Sequence, residues 1–312
     1  MLLIVPADAP FVLDPIPGVD VLSYDPDADL SDEHLAADAA VIWGFASPII
    51  DQLVPAPNLR WIQTLTAGPD PVLAAGFPER VEVTTGRGFH DETVAEHAVA
   101  LTLAGLRQIP ETLAAQADHR WADELSGFRP LHDGKTLTTL IGARVTIWGF
   151  GSIGRTAAAR FTAFGATVTG VARSAGERDG FAVVATEDVD QLLANTDVLV
   201  LVLPKSPATD HALDARRLAL LPSHAWVINV GRGNAIDEDA LVAALQAGTL
   251  GGAALDVFET EPLPADSPLW DAPRAILTPH NAGGRPLHTK EFITDNLRRL
   301  LAGETLRNLA PR

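Results

Sequence analysis

The stretch "ARVTIWGFGSIGRTAAARFTAFGATVTGVARS" (143–174) decides the fold. A β-like run, "RVTIW", leads through Gly149, Gly151 and Gly154 in a G-x-G-x-x-G spacing into an alanine-rich helical pattern, and a second run, "ATVTGVA" (166–172), follows. That spacing alone is weak, but strand, glycine turn and helix in this order are the context in which it signals a dinucleotide site. The first glycine allows a tight turn, the second lets a pyrophosphate approach the backbone, and the third lets helix pack closely on strand. The helix start at Ser152 and Ile153 then offers unpaired N–H groups to phosphate. For NAD an acid is expected about 20 residues on, bonding the ribose hydroxyls. Counting from Gly154 leads to Val171 to Arg173, none acidic, while Glu177 and Asp179 lie further along. Arg173 with Ser174 offers a cation and a hydroxyl, which suits a 2′-phosphate, so NADP(H) is the expected cofactor. NAD(H) stays possible if Arg173 is only a solvated turn residue.

Working outward, "DVLVLVLP" (197–204), "AWVINVG" (225–231), "AALDVF" (253–258) and "AILTPH" (275–280) continue the strand series, with helical candidates such as "DEDALVAALQAG" (237–248) between them. Near-continuous Val/Ile/Leu strands alternating with helices imply a parallel sheet covered on both faces. The first ninety or so residues hold another series, "LLIV" (2–5), "VDVLSY" (19–24), "AAVIW" (39–43), "LRWIQTL" (59–65) and "VEVTT" (81–85), with a Ser-capped helix in "SDEHLAAD" (31–38). In "HDETVAEHAVALTLAGLRQIP" (90–110), Val94, Ala98, Leu101 and Gly105 share a helical face, Asp91 caps the start, and Pro110 ends or kinks the helix. From there to about 142 the chain reads as a loop-rich connection. The tail from Lys290, with Phe292, Leu297, Leu300 and Leu301 at helical spacing, is expected to return to the first unit. The expected fold class is α/β with two domains: a Rossmann doubly wound cofactor domain (93–284) and a smaller flavodoxin-like substrate domain (1–92 and 285–312), with a cleft between them.

Composition narrows the function. At 312 residues, two cores are the first expectation. The start carries an apolar run without a basic leader, interrupted by Pro6 and Asp8, and no segment offers about 18 uninterrupted apolar residues, so a cytoplasmic protein with no membrane partner is expected. Cysteine is absent, which excludes disulfides, thiolate metal sites and a cysteine nucleophile, and no metal is expected. With 23 basic against 40 acidic residues, a net charge of −17 opposes nucleic-acid binding. Lysine occurs only at 135, 205 and 290, so arginine must supply nearly every positive contact.

Three polar residues end the later strands: Arg232 in "INVGRGNAID", Glu261 in "DVFETEPLP" and His280 in "ILTPHNAGG". Ligands of open α/β sheets sit beyond the carboxyl ends of strands, so all three can face one crevice. Histidine exchanges a proton near neutrality, a carboxylate beside it favours the imidazolium, and arginine binds a carboxylate and polarises a carbonyl. Taken singly each has a bland reading as solvated arginine, turn-capping glutamate or structural histidine; their joint order behind the glycine motif favours the functional one.

The runs "GFGSIGR", "LVLPKSPAT", "INVGRGNAID", "GGAALDVFETEPLPADSPLW" and "ILTPHNAGG", joined upstream by "LRWIQTLTAGPD" and "VAEHAVALTL", resemble the D-isomer-specific 2-hydroxyacid dehydrogenases over nearly the whole chain. The resemblance implies Arg232 as contact for the substrate carboxylate and carbonyl, Glu261 as the partner that keeps His280 protonated, and His280 as general acid/base. It implies Asp256 on the nicotinamide amide, Pro204 and Val230 as further cofactor contacts, and the N–H groups of Ala67 and Gly68 as receivers of the substrate carboxylate. Pro69 departs from the family there by lacking an N–H. A homodimer is also implied. The implied reaction is reversible hydride transfer from NADPH to the C2 carbonyl of a small 2-keto acid of the glyoxylate/hydroxypyruvate type, giving a D-2-hydroxy acid, with His280 protonating the alkoxide; reduction should weaken at high pH. The alternatives are an enzyme like D-3-phosphoglycerate dehydrogenase, disfavoured by Arg173 and by the lack of an appended regulatory domain, and a dinucleotide-sensing corepressor. His34, His119, His132, His211, His224 and His288 read as surface or packing residues, and His97 as a residue of the long helix; His90 and Lys205 are weak site candidates. Trp43, Phe45 and the loops around Trp121 and Trp270 are candidates for the substrate pocket.

Overall fold

The apolar runs form two separate sheets. The computed structural model describes residues 1–44, 47–128, 131 and 133–310; Phe45 and His132 lie outside these. The chain divides into two compact units, Met1–His90 with Arg285–Arg312, and Asp91–Gly284.

In the first unit, β1 (Leu2–Pro6), β2 (Asp20–Tyr24), β3 (Ala39–Ile42), β4 (Trp61–Thr64) and β5 (Glu82–Thr84) make a sheet of order β2-β1-β3-β4-β5. Every pairing is parallel, and the order is that of flavodoxin-like sheets. The connections carry α1 (Asp32–Leu35), α2 (Pro48–Leu53) and α3 (Asp70–Ala74). Ser31 caps α1 as its sequence suggests, with His34 closing the reciprocal capping bond that a Glu or Gln more often makes.

The second unit begins with α4 (Asp91–Leu106) and α5 (Ile109–Ala117). It continues through β6 (Arg144–Trp148), α6 (Ser152–Ala163), β7 (Thr167–Ala172), β8 (Gly176–Arg178), β9 (Phe181–Ala185), α7 (Asp190–Leu193), β10 (Val198–Leu201), α8 (Ala215–Leu218), β11 (Trp226–Asn229), α9 (Glu238–Gln246), β12 (Gly252–Leu255) and β13 (Ala275–Leu277). Its sheet runs β13-β12-β11-β10-β6-β7-β9-β8, parallel everywhere except at the β8–β9 pair. The period of two along β10 shows why these strands read as continuous apolar runs. Val198 and Val200 join the core under α4 and α6, while Leu199 and Leu201 join the opposite core with Leu218 and Leu241. Gly105 lets α4 lie on the sheet, since a Cβ there would stand 2.3 Å from the Trp226 ring.

Three local expectations change. Pro110 does not end α4, which stops at Leu106; it occupies the first turn of α5, where its missing N–H costs nothing, after Gln108 turns the chain at φ 53°. The connection after it therefore holds a second helix and a short 3-10 turn at Asp123–Leu125. The second sheet also gains β8 and β9, joined at Asp179 and Gly180, both at positive φ (52° and 82°) as a tight hairpin turn requires. Last, α10 (Thr289–Ala302) does return to the first unit, but through Phe292, Ile293 and Leu297 packed with Leu3, Val5 and Trp61, while Leu301 stays exposed. Asn296 on α10 is fully buried and donates to Gln63 of β4 and to the Arg307 carbonyl. Among the described residues no helix is long and apolar enough to cross a membrane.

Candidate active site

The strand order reverses direction between β6 and β10, the switch point at which an open sheet leaves a crevice beyond its strand ends. Gly149 turns there at φ 107°, and a Cβ on it would meet the Val202 carbonyl at 2.3 Å. A Cβ on Gly154 would stand 2.4 Å from the Gly149 carbonyl, so this glycine is what lets α6 start so close to β6. A Cβ on Gly151 would touch nothing within 4 Å. The first and third glycines are thus fixed by the protein's own packing; the middle one leaves open space at the helix start. No side chain caps α6 there, so Ser152 and Ile153 present their amides as a phosphate would need. The Ser152 hydroxyl itself donates to Asp91 on α4. The residues present therefore fit a dinucleotide pyrophosphate.

At the end of β7, Arg173 and Ser174 are exposed, and Arg173 makes no hydrogen bond or ion pair among the described residues. Ser174 accepts a hydrogen bond on its hydroxyl (3.1 Å) from Arg178 of β8. Arg178 also donates to the Phe150 carbonyl (3.1 Å), inside the glycine loop. Arg155 in the first turn of α6 pairs with Asp179 at 2.8 Å. Arg178 lies in no recognisable run of the sequence; its one signal is the Asp-Gly dipeptide at 179–180, because a tight hairpin folds the preceding three residues back along the strand that follows, β9.

The loops after β11, β12 and β13 carry the other candidates. Arg232 follows β11, its backbone held by Asn229, which donates to the Arg232 carbonyl, and its Nη1 donates to the Gly231 carbonyl at 2.7 Å. Gly233 packs so tightly on the next loop that a Cβ would lie 1.8 Å from the Phe258 carbonyl carbon. That contact seats the Arg232 loop on the segment that leads to Glu261. One Glu261 oxygen accepts the Phe258 N–H (2.9 Å) and the other faces His280 Nδ1 at 2.6 Å. Burial pushes the Glu261 carboxyl up, but the bonds from His280 and Phe258 and the charges of His280 and Arg232 outweigh it and hold the group below its ordinary value. The carboxylate therefore stays ionised through neutrality, linked to both imidazole and guanidinium. The sequence-predicted Arg232, Glu261 and His280 are brought together.

His280 lies in the left-handed region at φ 50°, an uncommon conformation for a residue with a side chain. Its N–H donates to the Asp256 carbonyl at 2.8 Å. The Asp256 carboxylate, 1% exposed, accepts from the Thr278 hydroxyl and from the N–H groups of Asn281 and Ala282, with His97 Nε2 of α4 at 3.3 Å. Asp256 is thus the anchor that fixes the loop carrying His280. Because Nδ1 is engaged by Glu261, the imidazole presents Nε2, which has no partner among the described residues.

Pro204 is exposed beyond β10 and Val230 is buried just after β11. In the first unit, the Thr66 hydroxyl donates to the Gly68 carbonyl at 2.9 Å, while the N–H groups of Ala67 and Gly68 donate to nothing among the described residues. His90 hydrogen-bonds the Leu65 carbonyl, His224 pairs with Asp197, His211 with Glu259, and Trp43 donates to Asp8. Lys205, Trp121 and Trp270 are exposed. Among the described residues no three metal-ligating side chains gather.

The family model of the D-isomer specific 2-hydroxyacid dehydrogenase NAD binding domain matches residues 99–282. Glyoxylate/hydroxypyruvate reductase A of Escherichia fergusonii is 32% identical over 284 residues, 87% of this chain and 85% of that protein. D-3-phosphoglycerate dehydrogenases of mycobacteria also match, and the chain spans about half their length. Among solved structures, a D-isomer specific 2-hydroxyacid dehydrogenase family protein from Aeromonas salmonicida is 32% identical, with a TM-score of 0.85 over 99% of this chain and 98% of that one. An NADPH-dependent glyoxylate/hydroxypyruvate reductase from Sinorhizobium meliloti, solved with NADP and sulfate, is 29% identical, with a TM-score of 0.79 over 99% of this chain and 98% of its own. With the glycine loop and the ends of β11, β12 and β13 arranged as described, the chain belongs to the D-isomer specific 2-hydroxyacid dehydrogenase family of oxidoreductases.

Proposed function

We propose that this enzyme reduces a small 2-keto acid of the glyoxylate/hydroxypyruvate type with NADPH, giving the D-2-hydroxy acid, and runs in reverse with the oxidised cofactor. The observation that carries the reading is the His280–Glu261 hydrogen bond at 2.6 Å, which leaves the imidazole Nε2 without a protein partner. Bound reduced nicotinamide supplies the hydride for C2. His280, protonated on both nitrogens beside the Glu261 carboxylate, donates its Nε2 proton to the carbonyl oxygen as that oxygen gains charge. Glu261 holds the ring by Nδ1 and stabilises the imidazolium. Arg232 supplies a guanidinium that binds the substrate carboxylate and stabilises the developing oxyanion. The uncommitted N–H groups of Ala67 and Gly68 suit a carboxylate, and this is the role proposed for them. Asp256, Pro204 and Val230 are proposed as contacts of the nicotinamide half, with Gly149 to Gly154 on the pyrophosphate.

NADP(H) is supported by Arg173, an unpaired cation where an NAD site would keep an acid, and by the NADP held by the Sinorhizobium meliloti relative. A phosphoglycerate dehydrogenase-like activity is the second reading, favoured by relatives that are 32% identical over 278 residues. One experiment separates these readings: initial rates with NADPH and with NADH against glyoxylate, hydroxypyruvate, 3-phosphohydroxypyruvate and a panel of longer 2-keto acids. Higher kcat/KM with NADPH on the two small acids is expected. A preference for the phosphorylated acid establishes the second reading, and cofactor binding without turnover on any acid establishes a sensor.

A further inference from the structure

A second cation at the glycine loop comes from a hairpin rather than from the segment that follows β7. The β8–β9 hairpin turns at Asp179 and Gly180, with β9 paired to the end of β7 and β8 on the outer edge beyond it. Side chains alternate along β8, so Glu177 and Arg178 point to opposite faces of the strand. Arg178 faces inward: Nη1 reaches the Phe150 carbonyl at 3.1 Å, and Nη2 reaches the Ser174 hydroxyl at 3.1 Å and the Ser174 carbonyl at 3.3 Å. One guanidinium thus ties the glycine loop to the segment that follows β7, where a Rossmann domain places the ribose 2′-position.

We propose that Arg178 is a specificity-determining residue for the 2′-phosphate of NADP(H), fixing Ser174 as a donor and adding a second cation beside Arg173; this rests on the NADP(H) reading above. Two further observations support it. A guanidinium has five N–H donors, and the bonds to Phe150 and Ser174 draw only on Nη1 and Nη2, so Nε–H and the second Nη1–H remain for a phosphate. The Ser174 hydroxyl accepts from Arg178, so its own proton is left to donate outward. The neighbouring acid that would oppose a phosphate, Asp179, is matched by Arg155 at 2.8 Å.

The test compares adenosine 2′,5′-bisphosphate with adenosine 5′-monophosphate by calorimetry on the cofactor-free full chain, because the two ligands differ only in the 2′-phosphate. The unsubstituted protein should bind the bisphosphate more tightly. Arg178→Met should weaken the bisphosphate by about tenfold or more and leave the monophosphate within about twofold. Arg178→Lys keeps the charge but not the forked geometry, so it should recover only part of the loss. An unchanged bisphosphate affinity in Arg178→Met overturns the role of Arg178, and so does an equal loss for both ligands, which would mark a purely structural residue. If the unsubstituted protein does not discriminate between the ligands, the NADP(H) reading itself falls.

Discussion

The two ring nitrogens of His280 have different surroundings, and the difference sets what substitutions there should do. Nδ1 faces a carboxylate whose ionisation its other partners protect, while Nε2 is open. His280→Ala should lower kcat for reduction by a factor on the order of 10²–10⁴, with NADPH affinity by fluorescence titration nearly intact. Near-normal turnover in that variant would remove His280 from its role. Glu261→Gln keeps an acceptor for the Phe258 N–H but loses the charge that favours the imidazolium. Its reduction rate should fall at neutral pH and the alkaline limb of its pH–rate profile should move to lower pH; an unmoved limb would show that Glu261 only orients the ring. These residues were legible in sequence because each follows a strand inside a recognisable run. Arg178 was not, because its contacts to Phe150 and Ser174 exist only once β8 has folded back. His97 was placed on its helix correctly, but its approach to Asp256 joins residues far apart in sequence and has no local signal.

Among the elements, β6, β10 and the turn before β11 are tied at their N-terminal ends by one carboxylate. Asp197 accepts from the backbone N–H and the guanidinium of Arg144 and from His224. Burial pushes the Asp197 carboxyl up, but these bonds win and bring it down to about 2. A carboxyl depressed in the folded state stabilises it above the unfolded value, near pH 4, and that contribution fades as pH falls toward 2. Arg144 is half exposed, so the contribution is taken as about 2 kcal/mol after discounting for solvent. Asp197→Asn should lose that amount in urea unfolding at pH 7 and at pH 5, with the gap to the unsubstituted protein narrowing below pH 4. A gap as wide at pH 3 as at pH 7 would assign the effect to hydrogen-bond geometry instead of charge. At this scale the sequence was most readable where a strand is buried on both faces, as β10 and β11 are. It was least readable for β8 and β9: β8 is exposed at the sheet edge and only three residues long, so it has no apolar run to announce it. For α5, Pro110 opens a helix, whereas its place after an apolar helical run signals one that ends or kinks.

For the molecule as a whole, charge and exposed apolar surface act in opposite directions on self-association. A net charge of −17 repels a second copy, yet large apolar side chains stand in solvent along one segment: Ile109 and Leu113, four residues apart on one face of α5, then Trp121 (82% exposed), Phe128 and Leu131. Aromatics of this size each remove roughly 150–250 Å² from water when covered, which makes the segment a substantial apolar contribution to an interface. The expected assembly is a homodimer in which two copies cover it, of twice the 33.0 kDa chain mass. Because the opposing term is long-range repulsion between like charges, screened over about 10 Å at 0.1 M salt, association should tighten as salt rises from low to moderate concentration. Sedimentation at several salt concentrations measures this directly. The double substitution Trp121→Glu with Phe128→Glu should leave a folded monomer at every salt concentration, since both side chains are exposed and belong to neither core of the second unit. An undisturbed dimer in that variant would place the interface elsewhere, and a dimer that loosens with added salt would mean that charge pairs, not apolar burial, hold it together.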